Sequence, residues 1–369
     1  MTKWNVMIAG AGKIGQMLAV LLHEARYYDV VVADANESAL AVIAKKGITV
    51  QKIDLSDGQA VMMALKDFDA VICATPFFLN HIIAKAAVDS RTHYFDLTED
   101  VEQSRKIKEL AQNAESALMP QCGLAPGFVG IVGYDLARQF EKLDVLSLRV
   151  GALPLYPTNA LKYNMTWSTD GLINEYCNPC DVIDNHKKTQ VQPLANLEHF
   201  SIDGVEYECF NTSGGLGTLG DALEGKARSV TYRTIRYPGH RDIIKLLLHD
   251  LGLIKRRDLM KDVLDTALPM TKQDVIVIFC TASGIRNGVY EELSYLNKPK
   301  SREIAGETWG AIQVTTAAGV TGVMDLMRQE KLPSKGFVTG EQVRLEDFLA
   351  TPFGALYNEN GASGFEHAA

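Results

Sequence analysis

The stretch WNVMIAGAGKIG, residues 4–15, places an apolar run directly before a glycine-rich turn. The run at residues 4–9 predicts a buried strand, and the segment that follows, residues 13–25, predicts a helix. In the GxGxxG pattern between them, one glycine permits a tight turn, one lets a pyrophosphate approach the backbone, and one lets helix and strand pack closely. The pattern predicts a dinucleotide-phosphate site at Gly10, Gly12, Lys13, Ile14 and Gly15.

The rest of the first 120 residues continues this alternation of strand and helix. Further strands are predicted at residues 29–33, near Val50 and at 70–74, and further helices at residues 37–46 and 57–65. Strands that alternate with helices predict a parallel sheet covered on both faces. We therefore expect an α/β fold that begins with a doubly wound Rossmann sheet.

The pattern changes after about residue 122. Longer apolar strands, such as residues 145–150, 230–234 and 274–279, are mixed with glycine-rich turns, which predicts a second α+β domain with a mainly β platform. Residues 309–327, WGAIQVTTAAGVTGVMDLM, predict a buried helix. The expected divisions are a Rossmann domain at 1–122, a substrate domain at 123–306, and a C-terminal helix and tail at 307–369 that pack where the domains meet.

Composition narrows the class of function. The 369 residues are 47% hydrophobic and 22% charged, with a net charge of −8, which argues against a nucleic-acid scaffold. No run of 18 apolar residues is present, so we expect a cytoplasmic protein without a membrane segment. The six cysteines are scattered, and the pair in CNPC, residues 177–180, lacks the second pair that a zinc site usually has. We expect small-molecule chemistry, no disulfides and no metal.

The acid at position 34 selects among dinucleotides. Asp34 ends the second predicted strand, 19 residues past Gly15, where a carboxylate can accept hydrogen bonds from the ribose hydroxyls. It would repel a 2′-phosphate, and the following Ala35 and Asn36 supply no arginine, so NAD is favoured over NADP. Two further groups of residues are predicted to line the cofactor. Asp54 and Leu55 are expected under the adenine. Ala74, Thr75 and Pro76 are expected near the nicotinamide ribose.

Five motifs beyond the glycine-rich turn occur in a fixed order. They are MPQCGLAPGF (119–128), RVGALP (149–154), MTWSTDGLINEY (165–176), FNTSGGLGT (210–218) and YRTIRYPGH (232–240). In this order the chain resembles the saccharopine dehydrogenase family over roughly residues 4–325, and it is most similar to the L-lysine 6-dehydrogenase branch. The resemblance implies a nicotinamide-dependent reaction at a carbon–nitrogen bond of lysine or a lysine adduct. It also implies that substrate lies near the backbone of Cys122, Gly123 and Leu124.

Two positions depart from the pattern of the saccharopine-forming members. Ala125 stands where they tend to have the aspartate of GLDPG, and Asp170 stands where they tend to have the arginine of WSxRG. An arginine suits the extra carboxylates of a glutamate moiety, whereas an aspartate suits an ammonium group. We therefore expect oxidative deamination of free L-lysine at its ε-amine to 2-aminoadipate 6-semialdehyde. A saccharopine dehydrogenase, or a related amine-adduct reductase, is the alternative.

The proposed chemistry requires a group that neutralises the amine, because an alkylammonium with a pKa near 10.4 does not readily lose hydride. Asp170 and Asp96 are candidates for holding the ammonium and relaying its proton, and His240 is a candidate base because imidazole titrates near neutral pH. Candidate substrate contacts are Arg236, as a clamp for the α-carboxylate, together with Glu175 and Thr212.

Structural alternatives remain for Asp170, His240 and Arg236. Asp170 can be an ordinary acid in the first turn of a helix that Ser168 or Thr169 caps, His240 can stabilise a turn, and Arg236 can pair with surface acids. A non-catalytic NAD-sensing protein is the alternative from another functional class. Because two-fold symmetric dimers are the commonest oligomers of soluble proteins, we expect a homodimer.

Overall fold

The computed structural model describes residues 3–358, so most of the predicted C-terminal tail lies outside the described residues. The chain divides into two compact units. The first comprises Met1–Phe128, Ile304–Gly306 and Gln313–Ala369, and the second comprises Val129–Glu303 and Glu307–Ile312. The expected boundary after residue 122 lies six residues before the end of the first segment. Most of the segment 307–369, which was expected to be a separate piece, belongs to the first unit.

Strands and helices follow one another along the chain. The strands are β1 (Trp4–Ala9), β2 (Tyr28–Asp34), β3 (Thr49–Lys52), β4 (Ala70–Cys73), β5 (His93–Asp96), β6 (Ala117–Met119), β7 (Lys142–Pro154), β8 (Cys180–Asp184), β9 (Lys187–Val191), β10 (Glu198–Ile202), β11 (Val205–Asn211), β12 (Ser229–Arg236), β13 (Asp274–Arg286), β14 (Val289–Asn297), β15 (Arg302–Ile304), β16 (Glu307–Trp309) and β17 (Gly336–Phe337). The helices are α1 (Lys13–Ala25), α2 (Glu37–Ala44), α3 (Gly58–Leu65), α4 (Asn80–Ser90), α5 (Val101–Ala111), α6 (Val129–Ala137), α7 (Thr169–Cys177), α8 (Leu219–Leu223), α9 (His240–Lys245), α10 (Arg257–Ala267), α11 (Ala311–Arg328) and α12 (Leu345–Leu349).

The first unit is built on a parallel sheet with the strand order β17-β6-β5-β4-β1-β2-β3. β1 pairs with β2 on one side and with β4 on the other, so the strand order reverses at β1. In such sheets, ligands bind beyond the carboxyl ends of the strands at this reversal point. The predicted Rossmann architecture is confirmed, and the bounds of β1 and α1 match the predicted ranges.

The long helix α11 begins where a distant carboxylate satisfies its first amides. Asp274 is fully buried and accepts hydrogen bonds from the backbone N–H groups of Ala311, at 2.5 Å, and Ile312, at 3.0 Å. Further along, a Cβ on Gly319 would lie 2.4 Å from the carbonyl oxygen of Gly123, so the helix packs against that backbone. The predicted buried helix at residues 309–327 is therefore present with nearly the same bounds.

The second unit is built on a mixed sheet with the order β10-β11-β12-β7-β13-β14, to which β8 and β9 are added beside β12. β12 and β7 are parallel, whereas β13 is antiparallel to both β7 and β14. Helices α7, α9 and α10 contribute to a cluster of buried residues that also includes Phe210 of β11. The predicted α+β platform is therefore confirmed. No helix within residues 3–358 has both the length and the apolar character needed to cross a bilayer.

Candidate functional site

The glycine-rich turn has the geometry that each glycine position predicts. Gly10 has φ of 114°, and a Cβ there would lie 2.7 Å from the carbonyl oxygen of Ala74. A Cβ on Gly15 would lie 1.9 Å from the carbonyl oxygen of Gly10, whereas one on Gly12 would meet nothing within 4 Å. Gly12 is also the N-cap of α1, and no side chain caps that end. The amino end of α1 is therefore open to an anion such as a pyrophosphate.

The carboxylate of Asp34 is fixed beside this turn. One oxygen accepts the backbone N–H of Ala11 at 2.7 Å, and the other accepts that of Asn36 at 2.8 Å. Because a carboxylate oxygen can accept two hydrogen bonds, both can still receive ribose hydroxyls. Lys52, the cross-strand neighbour of Asp34, forms an ion pair with Glu37. The positive charge nearest to Asp34 on β3 is therefore already matched by an acid.

The remaining predicted cofactor residues have different surroundings. Ala74 follows β4, and its backbone N–H donates to Ala9 at 2.8 Å, so Ala74, Thr75 and Pro76 lie at the same sheet edge as the turn. Asp54 is exposed and accepts hydrogen bonds from the backbone and the hydroxyl of Ser56, which closes a local turn. Leu55 is only 6% exposed and belongs to the hydrophobic core, and its contact with an adenine stays a prediction.

Asp96 has a structural role that its position in the sequence did not reveal. It is fully buried, and its carboxylate accepts four hydrogen bonds, from Tyr94, Asn80, Thr98 and Gln121, at 2.8–3.2 Å. Burial raises the pKa of the Asp96 carboxyl, and these donors oppose the rise. The four donors occupy the carboxylate and anchor the segment at Gln121. This correction removes Asp96 as the predicted holder of a substrate ammonium.

The predicted substrate segment forms an irregular turn after β6. Cys122 is buried, its thiol donates to the carbonyl of Met119 at 3.0 Å, and burial raises the pKa of that thiol. Leu124 is also buried, and Gly127 has φ of 122°. Gly123 lies against α11, because its oxygen is the atom that a Cβ on Gly319 would meet. A substrate contact at Cys122, Gly123 or Leu124 stays a prediction.

Asp170 lies on the outer side of α7. Ser168 is the N-cap, and its hydroxyl accepts the backbone N–H of Gly171 at 3.3 Å. The Asp170 side chain is 60% exposed and binds the Nζ of Lys261 at 2.6 Å. These features match the structural alternative of an acid in a first helical turn. Lys261 accounts for this carboxylate without a substrate, so Asp170 is not assigned as the acceptor of a substrate proton.

Glu175 lies on the buried side of the same helix and is 7% exposed. Its Oε2 has no hydrogen-bond partner among residues 3–358, and the nearest guanidinium atom, Nη2 of Arg236, is 3.6 Å away. Burial raises the pKa of Glu175 to about 7, although Arg236 opposes the rise. Unsatisfied buried acids are rare in folded proteins, and perturbed carboxyls concentrate at functional sites. Among the acids of this unit, Glu175 is therefore the strongest candidate for a proton-transfer group.

Arg236 is enclosed rather than exposed to a ligand. Its Nε donates to the hydroxyl of Tyr176 and its Nη1 donates to the carbonyl of Ile235, both at 2.9 Å. The ring of Tyr163 lies 5.1 Å from the guanidinium carbon. Burial lowers the pKa of Arg236, but Tyr176, Tyr163 and Glu175 outweigh that effect and raise it overall. In this structure Arg236 is a buried partner of Glu175, and its predicted contact with an α-carboxylate stays a prediction.

His240 continues this hydrogen-bonded chain. Its Nδ1 lies 3.0 Å from the carbonyl oxygen of Leu161, and its Nε2 lies 2.9 Å from the Tyr176 hydroxyl. A carbonyl only accepts, so Nδ1 carries the proton and Nε2 accepts from Tyr176, which in turn accepts from Arg236. Burial and then the charge of Arg236 lower the pKa of His240 to about 3. With Nε2 occupied, His240 orients Tyr176, and the expectation of a free base is corrected.

Thr212 lies next to the segment that carries Glu175. The following residue, Ser213, donates its backbone N–H to the carbonyl of Glu175 at 3.1 Å. The Thr212 hydroxyl is buried, and no hydrogen-bond partner for it exists in the described part of the chain. Two buried polar atoms without hydrogen bonds therefore belong to adjoining segments. Sequence reasoning missed Tyr176, Tyr163 and Lys261, although Tyr176 follows Glu175 in a quoted motif.

No cluster of three or more potential metal-ligating His, Cys, Asp or Glu side chains is found within residues 3–358. Cys177 and Cys180 are both free thiols. Burial raises the pKa of each thiol.

Comparisons with known proteins identify the family of the chain. Residues 6–121 match the saccharopine dehydrogenase NADP binding domain, and residues 123–359 match the saccharopine dehydrogenase C-terminal domain. The mitochondrial alpha-aminoadipic semialdehyde synthases of Mus musculus and Rattus norvegicus are 22% and 20% identical over 280 and 281 residues, or 69% of this chain in each case. The chain spans only 29% of the length of these relatives.

A solved structure shares the fold across both units. The apo, histidine-tagged saccharopine dehydrogenase (L-Glu forming) from Saccharomyces cerevisiae superimposes with a TM-score of 0.75 at 16% sequence identity. The match covers 94% of this chain and 96% of the other. At this identity, the likeness establishes the fold and not the substrate. Because the two family models together match most of its length, the chain belongs to the saccharopine dehydrogenase family of nicotinamide-dependent oxidoreductases.

Proposed function

We propose that this chain catalyses the NAD-dependent oxidative deamination of L-lysine at its ε-amine, with 2-aminoadipate 6-semialdehyde and ammonia as products. The observation that carries the choice of substrate is the charge at position 170. Where the resemblance implies an arginine in the saccharopine-forming members, this chain has Asp170, and Lys261 cancels its charge. That position therefore supplies no unpaired guanidinium for the additional carboxylates of a glutamate moiety.

The preference for NAD rests on Asp34. Its carboxylate is fixed beside the glycine-rich turn, where a 2′-phosphate would meet a negative charge. Lys52, the nearby cation on β3, already has Glu37 as its partner. The family domain that matches residues 6–121 is described as NADP binding. We propose that this chain differs from that description and prefers NAD.

Glu175 is the proposed acceptor for the proton of the substrate ammonium. An alkylammonium must lose a proton before its carbon can release hydride, and a carboxylate with a pKa of about 7 is partly ionised at neutral pH and suited to that transfer. NAD, which the glycine-rich turn and Asp34 would hold, would supply the acceptor for the hydride that leaves this carbon. Water then adds to the iminium carbon of the substrate, and its collapse releases ammonia and the aldehyde. Arg236 keeps Glu175 partly ionised, since its positive charge opposes the effect of burial.

The test is a substrate and cofactor panel with the purified chain. We expect NADH to form with NAD and L-lysine, and little turnover with NADP. A double variant, Asp34→Ser with Ala35→Arg, should reverse the cofactor preference, because it replaces a negative charge with a positive one. The control is the single variant Asp34→Ser, which should weaken NAD binding without creating a site for NADP.

Each alternative predicts a different result in the same panel. Saccharopine oxidation without lysine oxidation would overturn the proposed substrate and support a saccharopine dehydrogenase. The yeast protein that shares this fold is a saccharopine dehydrogenase (L-Glu forming), which is why this alternative is included. Cofactor binding without turnover of any amine would overturn catalysis and support an NAD-sensing protein.

A further inference from the structure

Two motifs used for the resemblance contribute arginines that the proposed reaction does not use. Arg149 opens RVGALP on β7, and Arg233 is the first arginine of YRTIRYPGH on β12. The two residues are direct partners in the parallel pairing of these strands. Successive side chains of a strand point to opposite faces, so Arg233, three residues from Arg236, lies on the other face of the sheet. The pair is therefore separate from the cluster at Glu175.

Both guanidinium groups are poorly solvated. The side chain of Arg149 is 13% exposed and that of Arg233 is 11% exposed. Their shared acid is Glu198 of β10, whose side chain is 41% exposed. Two positive charges thus share one negative charge in a place where water compensates them weakly. Charges with little access to water require partners, so the pair has one uncompensated positive charge.

The donors of the two arginines are incompletely used. The Nε and Nη2 of Arg149 both lie 3.3 Å from one oxygen of Glu198, and its Nη1 lies 3.4 Å from the hydroxyl of Thr281. The Nε of Arg233 lies 3.4 Å from the side-chain oxygen of Asn211, and its Nη1 donates to the other oxygen of Glu198. The hydrogen bonds found for Arg233 within residues 3–358 come from its Nε and its Nη1. Several of these contacts are long, and donor capacity remains.

The position of Glu198 indicates which ligand chemistry fits. Its carboxylate already lies between the two planar guanidinium groups, so the site is shaped for a carboxylate fork. Partial burial raises the pKa of Glu198, but Arg233 and Arg149 outweigh that effect and lower it overall. Because Glu198 is partly exposed, it can move aside or share the arginines with an incoming anion.

We propose that Arg149 and Arg233 form a binding site for a small carboxylate anion on the face of the sheet opposite Arg236, with Glu198 as a competing internal ligand. The site does not depend on the proposed reaction, and it can be measured without NAD or lysine. Its occupancy neutralises the excess positive charge between β7 and β12. The stability of the chain therefore rises with the concentration of the anion.

Calorimetric titration of the full chain with glutarate, in low-salt buffer at neutral pH, tests this site. We expect saturable binding of glutarate and none of glutaramide, which has the same length without the charges. Glu198→Gln removes the competitor and should raise the affinity about tenfold, whereas Arg149→Gln and Arg233→Gln should each lower it about tenfold. Arg228→Gln is the matched control and should bind like the wild type, because Arg228 is 49% exposed and pairs with Asp144.

The test is decisive because Glu198→Gln and the two arginine variants are expected to change the affinity for glutarate in opposite directions. Circular dichroism identifies any variant that fails to fold. If Arg233→Gln does not fold, the single variants Glu198→Gln and Arg149→Gln are enough to test the site. Absence of glutarate binding in both the wild type and Glu198→Gln overturns the site. Binding that neither arginine substitution weakens also overturns it. Tighter binding of inorganic phosphate than of glutarate overturns the assignment of a carboxylate ligand.

Discussion

The glycine-rich turn of the first unit and the buried cluster around Arg236 are built in different ways. The turn uses backbone geometry within residues 10–15, and Asp34 and Ala74 support it through contacts with Ala11 and Ala9. The cluster uses side chains from α7, β12 and the start of α9, together with the carbonyl of Leu161. A local pattern can therefore specify the turn, whereas the cluster exists only after distant segments meet.

Helix α7 shows the same contrast within a few residues. Asp170 is exposed and bound to Lys261, while Glu175 is buried near Arg236. Residues five apart on an α-helix are separated by about 140° around its axis, so they face different surroundings. The two acids look equivalent in the motif. Their chemistry differs because one carboxylate keeps its water and the other loses it.

The largest expected effect is the loss of stability on substitution of Gly15, which packs the helix against the turn, in contrast to Gly12, which faces the predicted pyrophosphate. Gly15→Ala places a Cβ 1.9 Å from the carbonyl oxygen of Gly10, so the turn must shift. We expect a loss of about 3 kcal/mol in the free energy of unfolding and no NAD binding. Denaturant titration and cofactor titration measure the two effects.

Gly12→Ala is the matched comparison at the same turn. Its Cβ meets nothing within 4 Å, so stability should stay within about 1 kcal/mol of the wild type. NAD affinity should nevertheless fall, because the methyl group occupies the space that a pyrophosphate needs. Unchanged NAD affinity in both variants would contradict a dinucleotide site at this turn.

The next effect sharpens the contrast between the two acids of α7. Glu175→Gln keeps the size of the side chain but removes its charge, and we expect kcat/KM for lysine to fall by about two orders of magnitude. Asp170→Asn breaks an exposed ion pair, which contributes at most about 1 kcal/mol, so its rate should change less than about fivefold. Steady-state kinetics with NAD measure both. The reverse ranking would return the catalytic role to Asp170.

The last expected effect concerns the pH dependence of stability, and it is small near neutral pH. The pKa of His240 is about 3 in the folded chain, below its ordinary value of 6.5, so between these values the unfolded chain binds the extra proton. Stability from neutral His240 is complete above pH 6.5 and declines as the pH falls towards 3, by up to about 1.4 kcal/mol per pH unit. Denaturant titrations across this range measure the decline.

His240→Gln tests whether this histidine causes the decline. A glutamine is neutral throughout, and its amide can donate to the Leu161 carbonyl and accept from Tyr176. The variant should therefore lose less stability in acid than the wild type. His249→Gln, at an exposed position, is the control and should follow the wild type. Parallel curves for wild type and His240→Gln would refute a neutral, buried His240.

Sequence reasoning predicted the fold better than it predicted the site. The alternation of strands and helices located β1 and α1 with the observed bounds, because hydrophobic period and glycine position act locally. It did not reveal that Leu55 packs in the core or that Asp96 anchors Gln121. Both lie near carboxyl ends of strands, where lining and core positions alternate. A single sequence does not show which of the two faces is buried.

By itself, the sequence determined the Rossmann order of the first unit, the glycine-rich turn and the placement of Asp34 beside it, since backbone conformation and strand periodicity depend on neighbouring residues. Tertiary structure alone decided that Asp170 meets Lys261, that Glu175 is sealed beside Arg236, and that His240 orients Tyr176. Burial sets the charge state of an acid or an imidazole, and burial is a property of segments brought together from far along the chain.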